Sequence, residues 1–376
     1  MIKPHFFFLL IILLAPYNHA GAQNLSPETS LKLSGFGRVN FLFDNKNLGR
    51  NDLFLPANIV PGAEPAPNFF ISARQTRLAL DLTQSIGKET VKMKLEVDFH
   101  DASTDVTPLV RMRHAYVEYR FMLLGQYWSN FFEPEANPNQ VDFEGPNSST
   151  LSRTPQFRLQ TAIKEDQVLA LSFENPTEQL SVDSNITAAN ERFPDVIGSY
   201  RAKGNFGVVK LAGLVRELRY NSDKARSLIG WGFMAAGKVN IAKKDNLRFE
   251  AVGGTGIAKY VEGLSGLNYD AVYNGTEELE SLFVYGGYAA YQHHWNEKLN
   301  STIVAGTIIA EDNPNLEPTD FKSGFYGGVN LFCEPIRNLV FGFESLIGQR
   351  TNFNEDNGTA VRLQANCTYN FNFTLK

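Results

Sequence analysis

Apolar and polar side chains alternate with a period of two along most of this chain, which only extended backbone can use. The clearest run sets Val91, Met93, Leu95, Val97 and Phe99 against Lys92, Lys94, Glu96, Asp98 and His100. Near the end, Val361, Leu363, Ala365, Cys367, Tyr369, Phe371 and Phe373 interleave with Arg362, Gln364, Asn366, Thr368, Asn370 and Asn372. From Leu31 the same beat places Leu33, Val39, Phe41 and Phe43 opposite Lys32, Ser34, Arg38, Asn40 and Asp44. Each segment is a strand with one oily and one wet face. An aromatic content of 12% excludes a disordered chain, and 35 Lys and Arg against 40 Asp and Glu exclude nucleic-acid binding through bulk positive charge. Two cysteines among 376 residues cannot supply a disulfide framework.

With their flanking breakers, the alternating segments predict strands near 31–45, 69–83, 90–100, 110–119, 122–128, 155–163, 168–174, 194–203, 206–220, 228–241, 246–259, 281–293, 297–310, 323–333, 338–349 and 358–373. Connections after odd strands tend to be long, as in 46–68, 101–109, 129–154, 175–193 and 260–280, whereas Arg120-Phe121 and Gly204-Asn205 are tight turns after even ones. Long loops at one rim and short turns at the other belong to an all-β, transmembrane, up-and-down antiparallel barrel of about sixteen strands. Alternation alone would also suit a soluble sandwich. The charged residues crowding the wet faces, the aromatic last strand and an export signal favour the barrel. That signal is read from Lys3 and His5, the apolar run Phe6–Leu14 and the small residues Ala20-Gly21-Ala22. The expected division is a signal peptide over 1–22 and a barrel domain over 23–376, placed after cleavage in a Gram-negative outer membrane and surrounded by its lipid.

The third long connection carries the most chemistry, with Ser129-Asn130-Phe131-Phe132-Glu133-Pro134-Glu135 followed by Val141-Asp142-Phe143-Glu144-Gly145-Pro146-Asn147. Around it lie Ala73-Arg74-Gln75-Thr76-Arg77, Arg111-Met112-Arg113-His114-Ala115-Tyr116, Gly125-Gln126-Tyr127-Trp128-Ser129 and Arg153-Thr154-Pro155-Gln156-Phe157-Arg158. Together these segments, from about Leu33 to Arg158, resemble the DcaP-like outer-membrane porins. The resemblance implies a homotrimer of barrels, each with its third loop folded inward, admitting small hydrophilic and often anionic, dicarboxylate-like solutes without a cofactor. Some members carry a coiled-coil segment before the barrel. Here only Gln23 to Ser30 precede the first strand, so trimerisation is expected to rest on barrel walls.

Read from the residues themselves, strand parity nominates Arg38, Arg77, Arg111, Arg113 and Arg158 as lumen-facing, with Glu133, Glu135, Asp142 and Glu144 on the loop opposite. In a narrow water column with low-dielectric walls, such an arginine row attracts anions and the facing carboxylates make the field transverse. The same arginines could instead pair with the loop carboxylates and merely pin the loop. No metal site is expected, because His100, His114, His293 and His294 lack ligand spacing and the last two point to opposite faces. Ser265 in Gly263-Leu264-Ser265-Gly266-Leu267 lacks the second glycine of a nucleophile elbow, and Gly253, Gly254 and Gly256 interrupt a strand, as a barrel bend or close wall packing would require. Cys333 and Cys367 fall one strand apart from adjacency, too far for a disulfide. Tyr127, Trp128, Trp231, Tyr291, Trp295, Phe371 and Phe373 near strand ends suit interfacial girdles. The expectation is a non-enzymatic passive channel. Its rivals are a barrel lipase or protease with catalysis on the outer face, and an adhesin or structural barrel with a plugged lumen.

Overall fold

The computed structural model describes residues 28–48, 52–100, 109–181, 186–242, 244–276 and 278–375. The expected signal segment 1–22 lies outside them. Among the described residues, sixteen strands close one antiparallel sheet: β1 (Glu28–Asp44), β2 (Asn68–Ser72 resuming as Arg77–Ile86), β3 (Glu89–Asp98), β4 (Arg111–Tyr119), β5 (Met122–Trp128), β6 (Arg153–Lys164), β7 (Gln167–Glu174) and β8 (Asp195–Gly204), then β9 (Gly207–Asn221), β10 (Ala225–Asn240), β11 (Asn246–Thr255), β12 (Phe283–His294), β13 (Leu299–Ala310), β14 (Phe321–Ile336), β15 (Leu339–Asn352) and β16 (Asn357–Leu375). Each strand pairs with its sequence neighbours, and β1 pairs with β16 from Leu31↔Leu375 to Asp44↔Arg362. This pairing joins the first strand to the last and closes the ring. No described helix is long and apolar enough to cross a membrane.

Which face looks outward follows from exposure. On β16, Leu363, Tyr369 and Phe373 are 53%, 55% and 62% exposed, while the alternating Arg362, Gln364 and Asn366 are buried inside the ring. The pattern repeats on β9, where Leu211 and Val215 face out and Lys210 and Arg216 are buried. An oily outer belt over a polar interior inverts the arrangement of a soluble fold and is the membrane solution.

Two features depart from simple alternation. Strand β2 is not the continuous segment expected over 69–83: residues 73–76 leave the ladder and Arg38 N donates to Thr76 Oγ1 across the break. The interior is also not uniformly wet. Residues from the third loop (129–152) and the sixth loop (256–282), including Phe131, Ile257, Tyr260, Val261 and Leu264, pack on inward-facing Leu214, Met234, Val252, Val284 and Ile308. The strands from β8 to β13 therefore carry apolar side chains on both faces, against lipid outside and against folded-in loops inside. Cys333 and Cys367 are free and lie on β14 and β16, each opposite Phe341 of the intervening β15. Gly254 lies in the ladder of β11, where a β-carbon would meet Trp231 O at 2.1 Å, and Gly256, at φ +65°, ends the strand four residues before the expected limit. Of the aromatic residues expected in girdles, Trp231, Tyr291, Trp295 and Phe373 face outward, but Trp128 turns inward where β5 gives way to the third loop.

Candidate functional site

The third loop lies inside the barrel and is held by its own backbone. Three glutamates on separate strands each accept one loop N–H: Glu174 of β7 from Asn130 at 2.7 Å, Glu344 of β15 from Asp142 at 2.6 Å, and Glu250 of β11 from Thr150 at 2.6 Å. Wall donors take the carbonyls: Lys210 Nζ to Phe132 O at 2.7 Å, Asn330 Nδ2 to Asn139 O at 2.9 Å, Tyr288 Oη to Ala136 O at 3.2 Å, and Arg38 and Arg248 to Val141 O and Asn137 O. Side chains of the loop add to these main-chain bonds, as where Asn130 Nδ2 donates to Ile197 O at 3.1 Å and Asn147 Nδ2 to Gly324 O at 2.9 Å.

Between this loop and the wall from β1 to β6 lies a polar cavity of about 380 Å³, lined by Arg38, Arg77, Arg111, Arg113 and Arg153, with Phe36, Trp128 and Phe143 among them and with Asp142, Glu144 and Glu262. Arg111 grips the buried Asp98 through both carboxylate oxygens, at 3.0 and 2.8 Å, and Arg113 bridges Glu96 and Asp98 at 2.9 Å each. Arg77 reaches Glu96 only at 3.5 Å. A β-bulge interrupts the pairing here: Asp98 pairs with Arg111, Val97 with Met112 and Glu96 with His114, so Arg113 is the residue without an opposite number. The bulge puts both Arg113 and His114 on the inner side, whereas unbroken parity would bury Arg113 and expose His114.

The aromatic rings complete the lining. Phe143 lies under Arg111 and Arg113 at 5.7 and 5.5 Å, and Phe36 under Arg77 at 5.2 Å. Trp128 lies under Arg153 at 4.6 Å. Rings orient guanidinium groups without neutralising them. Among the described residues Arg153 has no ion pair, so its full charge faces the cavity.

Of the nine residues nominated from the sequence, Arg38, Arg77, Arg111, Arg113, Asp142 and Glu144 meet at this cavity. Arg158 points inward but stays outside the lining, bound to Gln156 Oε1 at 2.8 Å and to the carbonyl of Trp128, with Tyr127 beside it. Glu133 and Glu135 do not face the arginine row. They pair with Arg201 and Lys203 of β8, at 2.8 Å for Glu133 and at 2.7 and 2.9 Å for Glu135, because the loop crosses the lumen and its first acidic segment meets the wall there. Asp142 turns toward Tyr326, whose hydroxyl donates to it at 2.9 Å. Burial pushes its carboxyl up to about 6, against the pull of Arg362. Burial and the neighbouring Asp142 raise Glu144 to about 7, opposed by Arg153, Arg111 and Arg113.

Sequence reasoning missed Arg153 and Glu262. Arg153 is an odd residue on a strand whose inward positions are Thr154, Gln156 and Arg158, so alternation assigns it to the outside. It reaches the cavity because it stands at the mouth of β6, opposite Trp128, where the wall ends. Glu262 belongs to a loop with no periodic signal. No described group of histidine, cysteine and carboxylate side chains could hold a metal. His293 instead meets Asp245 at 2.8 Å, and the same carboxylate takes the His294 N–H at 3.0 Å.

No curated protein matches this sequence as a relative. Among solved structures, the outer membrane channel DcaP of Acinetobacter baumannii superimposes with a TM-score of 0.81, at 22% identity, over 93% of this chain and 99% of that one. OmpT of Vibrio cholerae in its trimer form gives 0.57 at 11% identity over 92% and 100%. An anion-selective porin from Comamonas acidovorans gives 0.58 at 9% identity over 92% and 100%. At these identities the likenesses establish a shared barrel fold. The family model of the DcaP outer membrane protein matches residues 57–371, and the chain accordingly belongs to that family of Gram-negative outer-membrane β-barrels.

Proposed function

We propose that this protein is a passive outer-membrane channel that prefers small anionic solutes, dicarboxylates among them, and that it works as a homotrimer after removal of residues 1–22. The observation that carries the reading is the arginine-lined cavity beside the inward loop. When every group is ionised, five arginines stand against Asp98, Glu96, Asp142, Glu144 and Glu262, so sign alone does not give a preference. Placement does. Asp98 and Glu96 are 0% and 8% exposed and are spent on Arg111 and Arg113, and Asp142 is turned into the loop, which leaves guanidinium charge as the main face offered to water. Transport of this kind needs no cofactor, since the solute moves down its gradient and the lining sets size and charge limits. The trimer is supported by the trimer form of the OmpT relative in fold.

The test is reconstitution in a planar bilayer under a salt gradient. The expected result is conductance that closes in three levels with an anion-favouring reversal potential, which Arg153→Gln weakens. Arg153 is the cleaner choice, because neutralising Arg111 or Arg113 would strand buried carboxylates and disturb the fold as well. A second reading, a barrel plugged as an adhesin or scaffold, is favoured by the apolar packing of the loops against β8 to β13. It predicts no conductance in the same recording.

A further inference from the structure

The sixth loop enters the lumen from the far side of the ring. It connects β11 and β12, while four of the five cavity arginines stand on β1, β2 and β4 and the fifth at the mouth of β6. In a ring of sixteen strands β12 is diametrically across from β4. Gly256 turns the chain inward at φ +65°, and Ile257, Val261 and Leu264 then pack with no exposure at all.

Its position is fixed by charge as well as by packing. Arg216 of β9, fully buried, pairs with Asp195 at 3.2 Å and with the loop's own Asp270 at 2.9 Å, and donates to Gly256 O at 3.1 Å. Tyr260 Oη and Lys259 Nζ both reach Asp195 at 2.8 Å. The tip, a single 3-10 turn over Glu262–Leu264, then locks onto the third loop: Glu262 N donates to Ser149 O at 2.9 Å and Gly263 N to Asn147 O at 2.8 Å. A β-carbon on Gly263 would lie 2.5 Å from Asn147 O, so only glycine permits this approach.

The result is a carboxylate delivered to the arginine cavity from across the barrel. Glu262 lines the cavity, is half-buried, and has no ion-pair partner among the described residues. We infer that the sixth loop is a second constriction element and that Glu262 is a selectivity-determining residue, its unpaired carboxylate opposing the arginines and holding the anion preference below what they alone would set. This rests on the channel reading above. It differs from the expectation that the third loop alone supplies the acidic side of the field: Glu133 and Glu135 are consumed by Arg201 and Lys203 and Asp142 turns to Tyr326, which leaves Glu144 as that loop's carboxylate in the lining and Glu262 as the sixth loop's.

The experiment measures reversal potentials of the purified full chain in planar bilayers under a potassium chloride gradient, for the wild type, Glu262→Gln, Glu262→Lys and the control Glu317→Gln, an exposed carboxylate in the connection between β13 and β14 and outside the cavity lining. One charge removed at ~8 Å across water corresponds to about a two- to sixfold rise in the anion-to-cation permeability ratio for Glu262→Gln, depending on how far the walls lower the dielectric. Glu262→Lys should rise further and Glu317→Gln should match the wild type. Glu262→Gln is isosteric and leaves the Glu262 and Gly263 backbone bonds intact, and heat-modified gel migration reports folding of each variant. A conducting wild type whose ratio is unmoved by both Glu262 substitutions, or moved equally by Glu317→Gln, overturns the inference and leaves the channel standing. A wild type that does not conduct at all overturns the channel reading and this inference with it.

Discussion

At the scale of single residues, the site is governed by which charges are already answered. Asp98 and Glu96 neutralise arginines from behind, whereas Glu144 stands in the lining with its carboxyl raised to about 7 by burial and by Asp142. The sign of the pH effect follows. Below about 7 Glu144 takes up a proton, a negative charge leaves the cavity, and anion preference rises; above it the charge returns and preference falls. Between pH 8 and pH 5 the reversal potential should therefore shift toward anions, with Asp142 contributing only near the lower end because it titrates at about 6. Glu144→Gln should remove most of the slope, and a slope that survives this change would exclude Glu144 as its source. Strand parity could nominate Arg38, Arg77, Arg111 and Arg113, since each lies on a strand whose inner face is set by the alternation. It could not turn His114 inward beside Arg113, which depends on a bulge, or find Arg153, which depends on where the wall ends.

At the scale of elements, the third loop is a plate bolted to the wall by main-chain hydrogen bonds. Glu250 is the most exacting bolt: one oxygen accepts Thr150 N at 2.6 Å and the other has no hydrogen-bond partner, so the group is tolerated for the loop's sake. Glu250→Ala leaves the Thr150 N–H without an acceptor inside the barrel, a loss of about 1–3 kcal/mol. The expected consequence is a looser third loop, read as increased open-channel current noise and faster proteolysis within 129–152, with the barrel itself still formed. Quiet currents and unchanged proteolysis would show that the remaining bonds suffice. The acidic composition of this loop suggests salt bridges to the arginine row. The structure instead uses wall carboxylates against loop amides, a pattern invisible in the sequence because Asn130, Asp142 and Thr150 meet those carboxylates through their backbone N–H.

At the scale of the whole molecule, the outer belt and the inner lining solve two solvent problems with one alternating chain. Phe233, in the middle of β10 and 67% exposed, belongs to the lipid face. Phe233→Arg should cost about 2–4 kcal/mol of folding stability in bilayers, as a cation near the midplane must be desolvated or drag water inward. Urea titration of folding into lipid vesicles measures this, and a negligible cost would mean that Phe233 does not meet acyl chains. The strands, their number, the long and short rims and the inner face of most of the wall are legible in the order of residues, because a period of two and its breakers are local properties of the chain. What occupies the bore is set by the folding of the whole ring. Ring closure brings loops three and six together from opposite sides, and whether a carboxylate there meets an arginine, a tyrosine or open water is settled by contacts between residues far apart in the chain, 68 positions for Glu133 and Arg201 and 184 for Asp142 and Tyr326, which leave no periodic trace.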